Sequence, residues 1–227
     1  MRFTLPEKNG RRQHTDIIAH STPTFPTRTG AEFLEMLQAL ATSGPDAASP
    51  SPIEKFLGAH PKALVHVQWP KPAPVSYGTE QYWSVSAFKL INASGKETFI
   101  RYHIVPTAGV STLDAATLAG RSANYLQEEL PTRLASGPIG FKILAQLAVD
   151  GDVTDDATIH WAETNPVVEL GEVVIEGIKS EEDSLKEQKT VIFDPIPRVA
   201  GVGASADPLL EMRAAIYIIS GKQRRAA

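Results

Sequence analysis

Alternation of apolar and polar side chains predicts β-strands along much of the chain. The clearest pair covers residues 82–91 and 97–105, which flank a turn-forming segment from Asn92 to Lys96. Two alternating runs on either side of such a segment predict a β-hairpin. The other predicted strands are residues 2–5, 15–19, 140–149 and 167–178.

A helical period predicts the other elements. Residues 27–42 repeat apolar side chains on one face: Phe33, Leu34, Leu37, Leu40 and Ala41. Residues 51–60 open with Ser51-Pro52-Ile53-Glu54, a capping box with proline at the first helical position. The remaining predictions are a helix over 111–134 that Pro131 breaks or kinks, a solvent-facing helix or loop over 179–188, and a helix over 206–219 that ends near Gly221.

Strands and helices are grouped in this order instead of alternating strictly along the chain. Grouping of this kind favours an antiparallel α+β architecture over a doubly wound parallel sheet. The sequence therefore predicts an α+β fold.

Composition narrows the classes of function. The 227 residues are 42% hydrophobic and 21% charged, and the formal net charge is −4. This acidic balance argues against a nucleic-acid partner, which would leave a basic surface. The chain has no cysteine, which excludes disulfides and thiolate chemistry. No apolar run is long enough to span a membrane and residues 1–13 lack a secretory signal, so we expect a cytoplasmic protein.

Metal and nucleotide motifs are weak. The six histidines are dispersed, and no two share metal-ligand spacing on one helix: His14, His20, His60, His66, His103 and His160. Gly201-Val202-Gly203 lacks the third glycine of a dinucleotide fingerprint and is interpreted as a turn. Neither a P-loop nor a nucleophile elbow occurs.

Arg213 and Tyr217 lie four residues apart, so a helix places their side chains on one face. A guanidinium that donates to a phenol oxygen favours the phenolate, which is a ligand for ferric haem iron. Surface pairing without any cofactor gives the same spacing. The spacing alone therefore leaves both interpretations open.

The surrounding residues add a resemblance. Phe193-Asp194-Pro195, then Asp207-Pro208-Leu209-Leu210, then Arg213 to Tyr217 and finally Arg224 resemble the proximal haem segment of the catalase superfamily. Further similarity lies upstream, in segments that occur in the family's order: residues 15–23 with Phe25 and Phe33, residues 87–95, residues 101–103 and residues 168–171. The small catalase-related peroxidases are the branch that the chain resembles most.

The resemblance implies a site and a cofactor. Tyr217 would be the axial ligand of haem iron, with Arg213 as its hydrogen-bonding partner. Arg224 would contact a haem propionate. Phe25 and Phe33 would pack against the haem, although simple core packing explains two phenylalanines equally well.

The resemblance also implies differences from the family. Its distal histidine would lie upstream of residue 1, and its distal asparagine aligns with His20, which could serve as the base or merely fill space. We therefore expect residues 1–227 to form a catalase-like haem-binding domain that lacks the N-terminal part of the antiparallel barrel, with packed helices. Open sheet edges would then need cover, and a homo-oligomer is one arrangement that supplies it.

Three functions follow from this resemblance. The first is a haem-dependent catalase or peroxidase acting on hydrogen peroxide or an organic peroxide. The second is a haem enzyme that oxidises an organic substrate in a specialised pathway. The third is a non-catalytic remnant of the fold. Haem binding separates the first two from the third, and oxygen release from peroxide separates the first from the second.

Overall fold

The computed structural model describes residues 1–226 and has both helices and strands. Its strands are β1 (Arg2–Lys8), β2 (Arg11–Asp16), β3 (Tyr82–Trp83), β4 (Phe88–Ile91), β5 (Glu97–Pro106), β6 (Ile139–Leu147), β7 (Val167–Ile175) and β8 (Val202–Ala204). Its α-helices are α1 (Gly30–Ala41), α2 (Pro52–Ala59), α3 (Pro61–Gln68), α4 (Ala115–Ala119), α5 (Tyr125–Ser136), α6 (Glu181–Thr190) and α7 (Pro208–Ala226).

The strands form two antiparallel sheets. The larger has the order β7-β6-β5-β4-β8, with β3 also paired to β5, and the smaller is the β1–β2 hairpin. Within the described part of the chain the sheets do not close into a barrel. The prediction of an α+β fold with an incomplete antiparallel barrel and packed helices is confirmed. That residues 1–227 are one haem-binding domain stays a prediction, and Ala227 lies outside the described residues.

The predicted hairpin is present, with Phe88 opposite Ile100 and Ile91 opposite Glu97, but its first arm is not one strand over 82–91 and is divided into β3 and β4. In its turn, the Asn92 side-chain oxygen accepts hydrogen bonds from the backbone nitrogens of Ser94 and Lys96, at 3.0 and 2.9 Å. These bonds replace the ladder bonds that the turn cannot make.

The core lies where α7 packs on the central strands. Leu210 of α7 is 1% exposed and belongs to one buried cluster with Ile100 and Tyr102 of β5 and Ala145 of β6. Burial of such side chains stabilises a fold by roughly 1.5–3 kcal/mol each. Leu209, its neighbour, packs into a second cluster, so consecutive residues hold α7 from two directions.

An ion pair with a buried carboxylate links the β1–β2 hairpin to the segment between α6 and β8. Arg2 donates through Nε and Nη2 to the two carboxylate oxygens of Asp16, at 2.8 and 2.7 Å. Asp16 also accepts from the backbone nitrogen of Asp194 at 2.8 Å. Burial alone would raise the pKa of Asp16, but the Arg2 guanidinium and the Asp194 nitrogen outweigh it and hold the pKa below its usual value.

Several predicted boundaries were wrong. The second strand covers Arg11–Asp16 instead of 15–19, and the predicted helix over 111–134 is divided into α4 and α5 by residues 120–124. Pro131 lies inside α5 and does not end it. Helix α3 was not predicted at all.

Helix α7 continues through Gly221 to Ala226 and does not end near that glycine. A side-chain carbon on Gly221 would lie 2.6 Å from Cδ1 of Ile192. The glycine is therefore explained by close packing against the segment after α6, and not by a helix end.

The apolar face predicted for α1 is largely solvent-exposed. Leu34, Leu37 and Leu40 are 56, 44 and 57% exposed, and α1 has no fully buried residue. Its capping box at Thr29 and Glu32 fixes where it starts. No helix within residues 1–226 has the length and apolar character that crossing a membrane requires.

Replacing Asp16 with asparagine should lower the free energy of unfolding by about 2 kcal/mol at pH 7, because Arg2 loses a buried anionic partner. A carboxylate with a depressed pKa stabilises the fold above its unfolded-state pKa and loses that effect as the pH falls through the folded-state value. The difference from wild type should therefore shrink between about pH 5 and pH 2 in urea titrations. The control is Asp46→Asn, at an exposed site. A loss of unfolding free energy in Asp16→Asn that does not change with pH, or that equals the loss in Asp46→Asn, would contradict this role of Asp16.

Replacing Leu210 with alanine should cost about 3 kcal/mol of unfolding free energy, because it leaves a cavity beneath α7. Leu185→Ala is the matched control, since Leu185 is 54% exposed on α6. Denaturant unfolding of both variants measures the difference. Equal costs would mean that α7 is not held by its buried leucines.

Candidate functional site

Helix α7 carries Arg213 and Tyr217, the pair singled out by its spacing in the sequence. Asp207 caps its start, because its carboxylate Oδ1 accepts from the backbone nitrogen of Leu209 at 2.9 Å. Two turns further along, Nε of Arg213 donates to the phenol oxygen of Tyr217 at 3.0 Å. The guanidinium carbon lies 5.6 Å from the centre of the Tyr217 ring. The phenol oxygen therefore has a cationic donor, as the spacing suggested.

Tyr217 borders a cavity of 380 Å³ that lies between α7, the end of α6 with the segment after it, and the segment that follows β2. Its wall is mostly apolar and consists of Ile18, Gln188, Val191, Ile192, Phe193, Tyr217, Ser220 and Arg224. We call this space the tyrosine cleft. A cavity of this size is in the range of small-molecule and cofactor sites.

His20 lies near this pair on an extended segment. Its backbone nitrogen and oxygen each bond to Trp83, both at 2.8 Å. Its ring Nε2 is buried and has no hydrogen-bond partner among the described residues. Burial lowers the pKa of His20 to about 4, with smaller contributions from the charges of Arg213 and His66. The imidazole is therefore neutral over the physiological range of pH.

The two predicted aromatic residues meet beside His20. The ring of Phe25 lies 6.0 Å from that of His20 and 5.4 Å from that of Phe33, measured between centroids. Phe25 also packs against the cluster that contains Leu209 and Val85. The fold thus brings together residues from the early loop, α1 and α7.

Arg224 lies on the rim of the tyrosine cleft and holds α7 to α6. Its guanidinium donates to the backbone oxygens of Gln188 and Val191, at 2.8 and 2.7 Å, and to Ser220 Oγ at 2.6 Å. A guanidinium has five N–H donors, so two remain for an anion. Its contact with a haem propionate stays a prediction.

A buried polar group below α7 was missed in the sequence. Ser86, Arg101 and Asp207 are each at most 3% exposed, and each has one atom without a hydrogen-bond partner in residues 1–226. Burial raises the pKa of Asp207 and lowers that of Arg101 to about 10. The Arg101 guanidinium also stacks on Trp161 at 4.5 Å. The available signal was an arginine at the centre of an otherwise apolar predicted strand.

The site offers one phenol oxygen, that of Tyr217, and no metal-binding cluster within residues 1–226. Across the described residues, no three His, Asp or Glu side chains converge as metal ligands. A bare metal ion needs several protein ligands, whereas haem supplies four nitrogens and needs an axial ligand. His20 Nε2 and Arg213 Nη2 are buried without a partner in residues 1–226, and Arg213 contacts Tyr217 although neither residue lines the tyrosine cleft. These features fit haem better than a bare ion.

Comparison with known proteins identifies the family of the chain. The sequence model of the catalase family matches residues 10–227. The catalase-related peroxidase of Mycolicibacterium paratuberculosis is 33% identical, over 99% of this chain and 69% of that protein. The catalase-related peroxidase of Synechococcus elongatus is 26% identical, over 99% of this chain and 65% of that protein.

Solved structures share the fold. A fungal catalase superposes with a TM-score of 0.78 and 22% identity, over 93% of this chain and 45% of its own. Catalase A of Saccharomyces cerevisiae gives a TM-score of 0.77 at 22% identity, over 93% of this chain and 46% of its own. The chain spans about two thirds of the related peroxidases and less than half of these catalases. The extent of the family match, together with the 33% identity, shows that the chain belongs to the catalase family.

Proposed function

We propose that this chain binds haem, with Tyr217 as axial ligand, and acts as a catalase- or peroxidase-like protein on peroxide. The observation that carries the proposal is the Arg213–Tyr217 hydrogen bond of 3.0 Å beside a cavity. Membership of a family that includes catalase-related peroxidases supports the reaction class. Hydrogen peroxide is the proposed substrate, and an organic peroxide is the alternative.

Tyr217 and Arg213 act as a unit in this proposal. The phenol oxygen would hold the iron as phenolate, and the Arg213 guanidinium would stabilise that charge. Bound haem would supply the redox chemistry by which peroxide is reduced. Phe25 and Phe33 would restrict water at the haem face, and Arg224 would bind a propionate with its two remaining N–H groups.

His20 is the proposed proton acceptor. Because its pKa is near 4, the ring is neutral at neutral pH, and Nε2 can take a proton from peroxide. No described residue competes for that nitrogen. The same ring would return the proton to the departing oxygen.

A second candidate function is oxidation of an organic molecule. The observation that favours it is the apolar wall of the tyrosine cleft, where Ile18, Val191 and Phe193 would contact such a substrate. Oxygen release from peroxide identifies the first function. Oxidation of an organic donor without oxygen release identifies the second.

Tyr217→Phe should abolish the ferric haem Soret spectrum seen when the purified wild-type chain is titrated with haemin. Arg213→Gln should weaken haem binding about 10- to 100-fold at pH 7, because the phenolate loses its cationic donor.

Tyr125→Phe is the control for this titration, since the Tyr125 hydroxyl donates to the oxygen of Pro74, outside the site. A spectrum unchanged in Tyr217→Phe would contradict the ligand assignment. Absence of any haem complex in wild type would leave a non-catalytic member of the fold.

His20→Gln should lower peroxide consumption by the haem-loaded chain about 100-fold, as expected for loss of a general base. Because the wild-type ring stays neutral above its pKa of about 4, the wild-type rate should be flat from pH 5 to 8. An oxygen electrode and the absorbance of peroxide measure the rate of the His20→Gln variant and the pH dependence of the wild-type rate. His14→Gln, at an exposed site, should match wild type. A rate that follows an ordinary histidine titration near pH 6.5 would contradict this role.

A further inference from the structure

A second and larger cavity lies on the other side of the segment that carries His20. It has a volume of 510 Å³ and is bounded by the sheet, by α5 and by the segment that follows β7. Residues that form its walls include Ile17, Ala19, Leu134, Ile139, Phe141 and Val173. We call it the apolar cavity.

The apolar cavity and the tyrosine cleft share a wall. Ile17 and Ala19 line the apolar cavity, whereas Ile18 lines the tyrosine cleft. Alternate side chains of an extended segment point to opposite sides, which accounts for this division. A molecule in the apolar cavity would therefore lie behind the site and would not reach Tyr217. Its binding is independent of haem.

The apolar, uncharged side chains of the cavity lining favour an uncharged ligand. None of the cavity's lining residues, all of which lie within 1–226, has a charged side chain. Its polar side-chain groups are the hydroxyls of Tyr77 and Tyr82, and the Tyr82 hydroxyl already donates to the Tyr77 backbone oxygen at 3.0 Å. The Met1 backbone nitrogen is already engaged, because it donates to the oxygen of Ile17 at 2.7 Å. A charged ligand would thus lose hydration without gaining a counter-ion among the side chains of the lining.

Charge also argues against a second copy of the chain as occupant. Strand β7 forms one border of the cavity and is an edge of the larger sheet. If two copies paired along β7, they would bring together Glu169, Glu172 and Glu176 of both chains. Glu169 already pairs with Lys142 at 2.9 Å. Like charges across such an edge disfavour the pairing.

We propose that the apolar cavity is a binding site for one small, neutral, apolar organic molecule. Its volume lies within the range of ligand pockets, and walls from several elements form a half-open concave site. Water in a cavity lined by apolar side chains has few hydrogen-bond partners, so an apolar ligand displaces it favourably.

The test uses N-phenyl-1-naphthylamine, a neutral probe that fluoresces in apolar surroundings, with n-decanol as competitor. The wild-type chain, without and with haem, should bind one probe molecule that n-decanol displaces. Leu134→Phe on α5 and Val173→Phe on β7 fill the cavity and should each raise the probe's dissociation constant at least tenfold. Leu185→Phe makes the same leucine-to-phenylalanine change as Leu134→Phe at an exposed site and should match wild type.

A second measurement does not depend on the filled variants folding. Because a ligand that binds only the folded state raises the unfolding temperature, n-decanol should raise it in wild type and in Leu185→Phe. Circular dichroism monitors unfolding and checks each variant. Absence of saturable probe binding, or binding that neither filled variant weakens, would overturn the proposal. A wild-type dimer that Leu134→Phe dissociates would assign the cavity to a second copy and overturn it as well. None of these results bears on haem binding.

Discussion

The packing of α7 against the central sheet determines where the other residues of the site lie. Leu209 and Leu210 are each 1% exposed and enter separate clusters, so α7 can neither rotate nor slide without uncovering one of them. Asp207 fixes the first turn through its bond to the Leu209 nitrogen. Arg213 and Tyr217 follow on the same helix, and their positions relative to His20 and Phe25 depend on this anchoring.

Several buried polar atoms lack a hydrogen-bond partner within residues 1–226, which costs free energy of folding. Unpartnered atoms of Ser86, Arg101, Asp207, Arg213 and His20 are all buried. A buried polar atom without a partner costs about 1–3 kcal/mol, so a fold selected only for stability would not collect them in one region. Such groups concentrate at functional sites, where a ligand or an ordered water completes their hydrogen bonds. Of these residues, Arg213 is the one that contacts Tyr217.

The sequence predicted what depends on local patterns. The hairpin around Asn92, the capping box at Ser51 and the Arg213–Tyr217 spacing each involve residues close in sequence, and all three are found. Predictions from the sequence were wrong where contacts between residues distant in sequence determine the structure. Gly221 suggested a helix end, yet it accommodates Ile192. The neutral state of His20 could not be predicted, because it arises from burial and from Arg213, nearly two hundred residues away in sequence. The roles of Phe25, Phe33 and Arg224 toward haem remain predictions.

The central claim is that the Tyr217 phenolate is the axial ligand of haem iron. Resonance Raman spectroscopy of the ferric haem-loaded chain tests it most directly, because vibrations of an iron-bound phenolate differ from those of histidine or water ligands. The account predicts phenolate modes that shift when ring-deuterated tyrosine is incorporated and that are absent from Tyr217→Phe. A haem complex whose spectrum lacks these modes, or retains them in Tyr217→Phe, would contradict the account.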